Sequence, residues 1–150
     1  MKLLGIAAAV LAVVAPAFAY STKYFLIHDS LYDDGDTSLT KVTCSHGEHG
    51  LLTHGYTTFD SLPSYPHIGA APQISETDLN SCGTCWEIRY TDPYGTSTSV
   101  NFTAIDAGKH GPDTFSISLK GMEHLTQMDG EVGSVTINAN KIPHKWCGLH

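Results

Sequence analysis

Two aspartates stand where a strand gives way to a turn, a position that suits carboxylate chemistry. Asp106 follows Val100, Phe102 and Ala104 at every second position, just before Ala107-Gly108 turns the chain. That alternation predicts an inward-facing side chain at the rim of a groove. A partly desolvated carboxylate there could act as a general acid or grip a sugar hydroxyl. It could equally accept from backbone amides of the following turn. Asp29 shares parity with Phe25 and Ile27 at the end of an earlier strand and offers a second carboxylate. Glycoside hydrolysis takes two carboxyl groups about 5–5.5 or 6.5–9.5 Å apart. A chain with 15 Asp and Glu holds many such pairs, so the pair alone does not single out hydrolysis.

Other constellations point away from familiar chemistry. Asp33-Asp34-Gly35-Asp36 lacks the ordered oxygen ligands and terminal Glu of a calcium loop, so it reads as a solvated acidic turn. His46-Gly47-Glu48-His49 is one cluster among nine histidines, and its glycines argue against a helix that would align the rings. No metal site and no cofactor are expected. Neither a Gly-x-Ser-x-Gly elbow nor a phosphate-binding glycine loop occurs. Asn101-Phe102-Thr103 is an N-glycosylation sequon whose Asn101 falls on the polar parity of its strand.

Cys44, Cys82, Cys85 and Cys147 make an even count behind a secretory leader, which points to two disulfides. The Cys82-Gly83-Thr84-Cys85 segment could be a redox pair, but no βαβ pattern surrounds it. If each of its cysteines bonds a distant partner, the segment staples both ends of the domain to its middle. The leader is residues 1–19: Lys2, an apolar run over Leu3 to Val14, and a small-x-small site at Ala17-Phe18-Ala19. Cleavage before Tyr20 leaves 131 of the 150 residues, the size of one domain (20–150). A formal net charge of −7 repels phosphate backbones and anionic lipid surfaces. Nucleic acid and membrane insertion are therefore not expected, and a neutral polysaccharide is not excluded by charge.

The elements that must hold these side chains read as β-rich. Strand patterns cover Lys23 to Asp29, Trp86 to Tyr90, Ser99 to Ala104, Phe115 to Leu119 and Val135 with Ile137. Asp92-Pro93-Tyr94-Gly95 is a turn between two of them. Leu119, Met122 and Leu125 predict a short helix ending near Gly130. Gly47 to Pro72 reads as a long structured loop with at most one helical turn. The class is a small closed β-barrel or sandwich, and periodicity does not choose between them.

Several linear motifs together resemble the cerato-platanin family. Cys44-Ser45-His46-Gly47-Glu48-His49-Gly50-Leu51 looks like its first-cysteine motif, and Ser81-Cys82-Gly83-Thr84-Cys85-Trp86 matches its central one. Tyr65-Pro66-His67-Ile68-Gly69-Ala70, within Pro63 to Pro72, is similar to its proline-glycine loop. Ala104-Ile105-Asp106-Ala107-Gly108 and Tyr32-Asp33-Asp34 also match. This chain departs from the family pattern at Ile27-His28-Asp29, and at Ser116 and Ser118, where asparagines are usual.

The resemblance implies an all-β, six-stranded double-psi β-barrel like that of expansins, with short helices and disulfides Cys44–Cys82 and Cys85–Cys147. It implies a secreted fungal protein of the cell wall that binds chitin or glucan oligosaccharides, such as N-acetylglucosamine oligomers, without catalysis. It also implies expansin-like loosening of polysaccharides, self-assembly at interfaces and elicitation of plant defence, with a plant receptor as a partner. Asp29, Tyr32, Asp106, Gly108, Ser116 and Ser118 then map to a shallow carbohydrate-binding groove. Two rivals are a weak barrel endoglucanase using Asp106 and a second carboxylate, and a surface-active signalling protein whose groove is incidental.

Overall fold

A computed structural model describes residues 22–130 and 132–150. The leader expected at 1–19 and the cleavage point before Tyr20 lie outside the described residues. Six strands, β1 (Lys23–His28), β2 (Ile68–Ala71), β3 (Cys85–Thr91), β4 (Ser97–Ala107), β5 (Thr114–Ile117) and β6 (Val135–Ile142), close into a barrel in the order β1-β5-β2-β4-β3-β6. β1 runs parallel to β5 and β2 parallel to β4, and the other four pairings are antiparallel. This is the double-psi barrel that the resemblance implies. Because β6 pairs back onto β1, the sheet has no open edge.

Local chemistry explains most of the elements. The β3–β4 hairpin turns where Asp92 Oδ1 accepts from the amides of Tyr94 and Thr96, each at 2.8 Å. It then zips from Thr91↔Ser97 down to Cys85↔Thr103. Phe115 of β5 sits at the centre of the core, with the rings of Tyr24, Trp86 and Phe102 edge-on at 5.2, 5.5 and 5.6 Å. Four strands thus meet on one phenyl ring, and edge-to-face contacts each contribute about 0.5–1.5 kcal/mol beyond the buried area.

Two expectations from periodicity change. The Gly47 to Pro72 stretch contains a strand, β2, as well as the 3-10 turn Phe59–Ser61. All four residues of β2 are buried, so its Ile-Gly-Ala-Ala sequence shows no alternation to detect. A Cβ at Gly69 would lie 1.9 Å from the Ser116 carbonyl oxygen, so only glycine lets β2 approach β5 this closely. Helix α1 (Leu119–Thr126) stops four residues before Gly130, at Gln127, whose left-handed backbone (φ 58°) donates its amide to the Glu123 carbonyl.

The bonded pairs are Cys44–Cys82 and Cys85–Cys147, closing loops of 38 and 62 residues. On the chain-entropy account each stabilises by about 4 kcal/mol. The Cys82–Cys85 segment is therefore a double staple, and neither thiol remains for redox exchange or metal.

Where α1 packs beside the entry to β2, His67 Nε2 lies 3.1 Å from His124 Nδ1. Burial, and then the neighbouring His124, push the His67 pKa down to about 4. Between pH ~6.5 and about 4 the unfolded chain therefore takes up a proton at His67 that the native state refuses. The resulting stability is fully present above pH ~6.5 and is lost as pH falls through this window. Thermal melts of wild type and His67→Gln from pH 7 to pH 4 should show a smaller acid-side drop in Tm for the variant. Parallel profiles would remove His67 from the account.

Candidate functional site

Asp106 ends β4 with its side chain 1% exposed, beneath the surface and not at a groove rim. Its Oδ1 accepts from the Thr43 amide at 2.9 Å, the Thr43 hydroxyl at 2.6 Å and the Ala107 amide at 2.9 Å. Its Oδ2 accepts from the Tyr32 hydroxyl at 3.0 Å, and Lys109 Nζ lies 3.7 Å away. Burial first, and then the Asp106 charge, push the Tyr32 phenol pKa up, so Tyr32 stays protonated and donates. The alternation that suggested an inward side chain is present. The depth was not legible, because Thr43 and Tyr32 reach Asp106 from segments far away in sequence.

The other residues expected at a groove divide in the same way. Tyr32, Ser116 and Ser118 are buried, at 1%, 1% and 0% exposure. The polar parity of β5 therefore faces protein, and a polymer laid on the surface cannot touch these side chains. Ser118 caps α1: its Oγ accepts from the Gly121 amide at 3.0 Å and donates to the Pro66 carbonyl at 2.7 Å. Gly108 is half-buried, and a Cβ there would lie 2.8 Å from Pro72 Cα, so it permits a close backbone contact. Asn101 is half-buried and its Nδ2 donates to the Trp146 carbonyl at 2.8 Å.

Asp29 is the reachable carboxylate of this set, with 28% of its side chain exposed. Its parity with Phe25 and Ile27 holds, but the sense is outward. Leu26 is the residue that β1 buries completely, and Phe25 is 51% exposed. Backbone at Asp29 stays extended (φ −136°, ψ 118°), so Phe25, Ile27 and Asp29 line one outer strip about 13 Å long. Thr114 and Thr136 flank Phe25 on the neighbouring strands. At the strip's far end Asp29 Oδ1 accepts from the Leu31 amide at 3.0 Å, and His110 Nε2 lies 3.9 Å from Oδ2. Ile27, His28, Asp29, Ser30, His110 and Ser134 help line an open cleft of about 580 Å³ there.

Set against known proteins, this architecture has clear relatives. The cerato-platanin family profile matches residues 25–149. The chain belongs to the cerato-platanin family. It is 33% identical over 145 residues to the heat-stable 19 kDa antigen of Coccidioides immitis, covering 96% of this chain and 94% of that one. The crystal structure of cerato-platanin 2 from M. perniciosa superposes with a TM-score of 0.76 at 32% identity, covering 85% of this chain and all of that one. The solution structure of a protein described as the fungal elicitor cerato-platanin matches with a TM-score of 0.67 at 31% identity, over 82% of this chain and 95% of that one.

Two parts of this cerato-platanin's site were missed in the sequence. His28 and His110 flank Asp29 within the cleft, but a lone histidine before a turn carries no pattern. Asp33, expected to be a solvated turn residue, accepts from His28 Nε2 at 2.9 Å and from the first helical amide, Leu119, at 2.7 Å. The signal that could have exposed it is the helix start at Leu119, which needs an acceptor for its free amides.

Removing the Asp106 carboxylate would leave Tyr32, Thr43 and Ala107 with buried donors and no acceptor. Each buried donor left unsatisfied costs about 1–3 kcal/mol, which amounts to several kcal/mol for the set. Chemical denaturation of Asp106→Ala should show a loss of that size. Wild-type stability in the variant would mean that the carboxylate is dispensable to the fold.

Proposed function

We propose that the protein is secreted and binds N-acetylglucosamine oligomers, as found in chitin, along the outer strip of β1, without cleaving them. The observation that carries this reading is the half-exposed Phe25 in line with Ile27 and Asp29, ending in a cleft edged by imidazoles and hydroxyls. A phenyl face with threonine hydroxyls on both sides suits a pyranose, which is apolar on its faces and polar at its rim. Asp29 can accept from sugar hydroxyls or an acetamido N–H, and His28 and His110 can donate or accept at the cleft. Bonds made to a chain in this way compete with chain–chain bonds in a polysaccharide assembly, which would loosen it with no covalent step.

The expectation of no turnover rests on access. Hydrolysis takes two carboxyl groups on opposite sides of the bond, and of the two strand-end aspartates only Asp29 can reach a surface ligand. Asp106 already spends its acceptor capacity inside the barrel. A second reading, elicitation of plant defence, is favoured by the relative described as a fungal elicitor. A Phe25→Ala variant that still elicits would separate that activity from sugar binding.

Isothermal titration with the N-acetylglucosamine hexamer tests the binding. Phe25→Ala removes apolar contact worth about 1.5 kcal/mol, and Asp29→Ala a charged hydrogen bond worth about 1.5–3 kcal/mol. Affinity should fall roughly tenfold and ten- to a hundredfold respectively, with Tm unchanged in Phe25→Ala and modestly lower in Asp29→Ala, which loses the cap on the Leu31 amide. New reducing ends should not accumulate from chitin or amorphous cellulose. Equal binding by both variants would overturn the site, and sustained release lost in Asp29→Asn would make the protein an enzyme.

A further inference from the structure

The largest concentration of imidazoles in the molecule lies away from the β1 strip. His49, His54, His144 and His150, four of the nine histidines, line one pocket of about 490 Å³ together with Lys141. The pocket opens where β3 begins and β6 ends, at the Cys85↔Ile142 pair. The β1 cleft instead borders Val132 to Ser134, just before β6 starts, so the two sites lie at opposite ends of that strand, about 20 Å apart. No residue lines both.

Its chemistry is two-layered. The floor is apolar: Leu51 and Leu149 are buried, and Tyr56 and Ile142 are half-buried. Cys82 and Cys85, one from each disulfide, stiffen the wall. The rim is different, since the four histidines and Lys141 are all exposed and none of the lining side chains is acidic. In a chain with formal net charge −7, this rim carries Lys141 and no Asp or Glu. Among the described residues no three His, Cys, Asp or Glu side chains are placed to share a metal ion. The imidazoles therefore surround an area and do not converge on a point, which suits an organic group broader than an ion.

We infer that this pocket binds a small apolar anion, such as an aliphatic or aryl monocarboxylic acid, with its hydrocarbon on the Leu51–Leu149 floor and its charge at the histidine rim. The volume falls in the range of small-molecule sites, about 300–1,000 Å³. Lys141 supplies a cation at the rim, and the imidazole N–H groups there can donate to a carboxylate or sulfonate oxygen. Binding therefore favours an apolar anion over an uncharged analogue of the same shape.

The test uses 8-anilinonaphthalene-1-sulfonate, an apolar anion, against its uncharged analogue N-phenyl-1-naphthylamine, on the full chain with near-UV circular dichroism to verify native packing. The expected result is one saturable sulfonate site at pH 5, displaced by decanoate and not by the N-acetylglucosamine hexamer. Affinity should be roughly tenfold weaker in His54→Gln/His144→Gln at pH 5. The neutral analogue should bind more weakly than the sulfonate and alike in wild type and the double variant. Amide shifts of wild type with decanoate, expected at Leu51, Tyr56 and Ile142, read the site even if the double variant fails to fold. The proposal is overturned by no saturable binding, by equal binding of both probes with no effect of the variant, by shifts elsewhere, or by stoichiometric displacement with zinc. Displacement by the hexamer would likewise defeat it and would move the sugar site here, away from β1.

Discussion

The buried charge of Asp106 is the constraint around which the rest of the molecule is arranged. A carboxylate at 1% exposure is tolerable only if it is saturated with donors. Here the donors come from three separate stretches: the turn after β1 through Tyr32, the segment entering the first disulfide through Thr43, and the end of β4 itself through Ala107. One carboxylate thus fixes the long irregular connection between β1 and β2 onto the barrel. The adjacent Cys44–Cys82 bridge then ties that connection to the start of β3. Without those two attachments, 39 residues between His28 and Ile68 would have little regular structure to hold them.

This arrangement has a consequence for function. A side chain that satisfies four internal donors cannot also be the group that seizes a ligand or protonates a leaving oxygen. Chemistry is therefore displaced outward, to the side chains that β1 turns away from the core. Phe25 is the exposed ring on that face, 51% accessible and in line with Ile27 and Asp29, while Tyr94 and Trp146 are exposed elsewhere. Asp33 plays a supporting part, since it ties His28, which lines that cleft, to the start of α1. The barrel supplies rigidity, and in the proposed reading the surface supplies recognition.

Much of this was legible in the residues. The strands with clear alternation, the Asp92 turn, the α1 pattern and the paired-cysteine logic all correspond to observed elements. The disulfide pairing and the double-psi closure came from family resemblance, since spacing alone leaves three pairings open. What stayed hidden has physical causes. β2 is buried on both faces and so has no period, and β5 is likewise covered, which turned Ser116 and Ser118 from expected ligand contacts into interior residues. Parity told that Phe25, Ile27 and Asp29 share a face. It could not tell which face, because a one-residue shift exchanges inside for outside, and only Leu26 against the core decides it.

The most direct measurement of the whole account is a titration of ¹⁵N-labelled protein with the N-acetylglucosamine hexamer, followed by amide chemical shifts. The account predicts progressive shifts at Phe25 to Ser30, His110 and Ser134. The amides of Thr43 and Ala107, locked on the Asp106 carboxylate, should stay unmoved. Large shifts at Thr43 and Ala107 with none along β1 would contradict it, because Asp106 would then be opening to meet the ligand and the buried network would be part of the binding site.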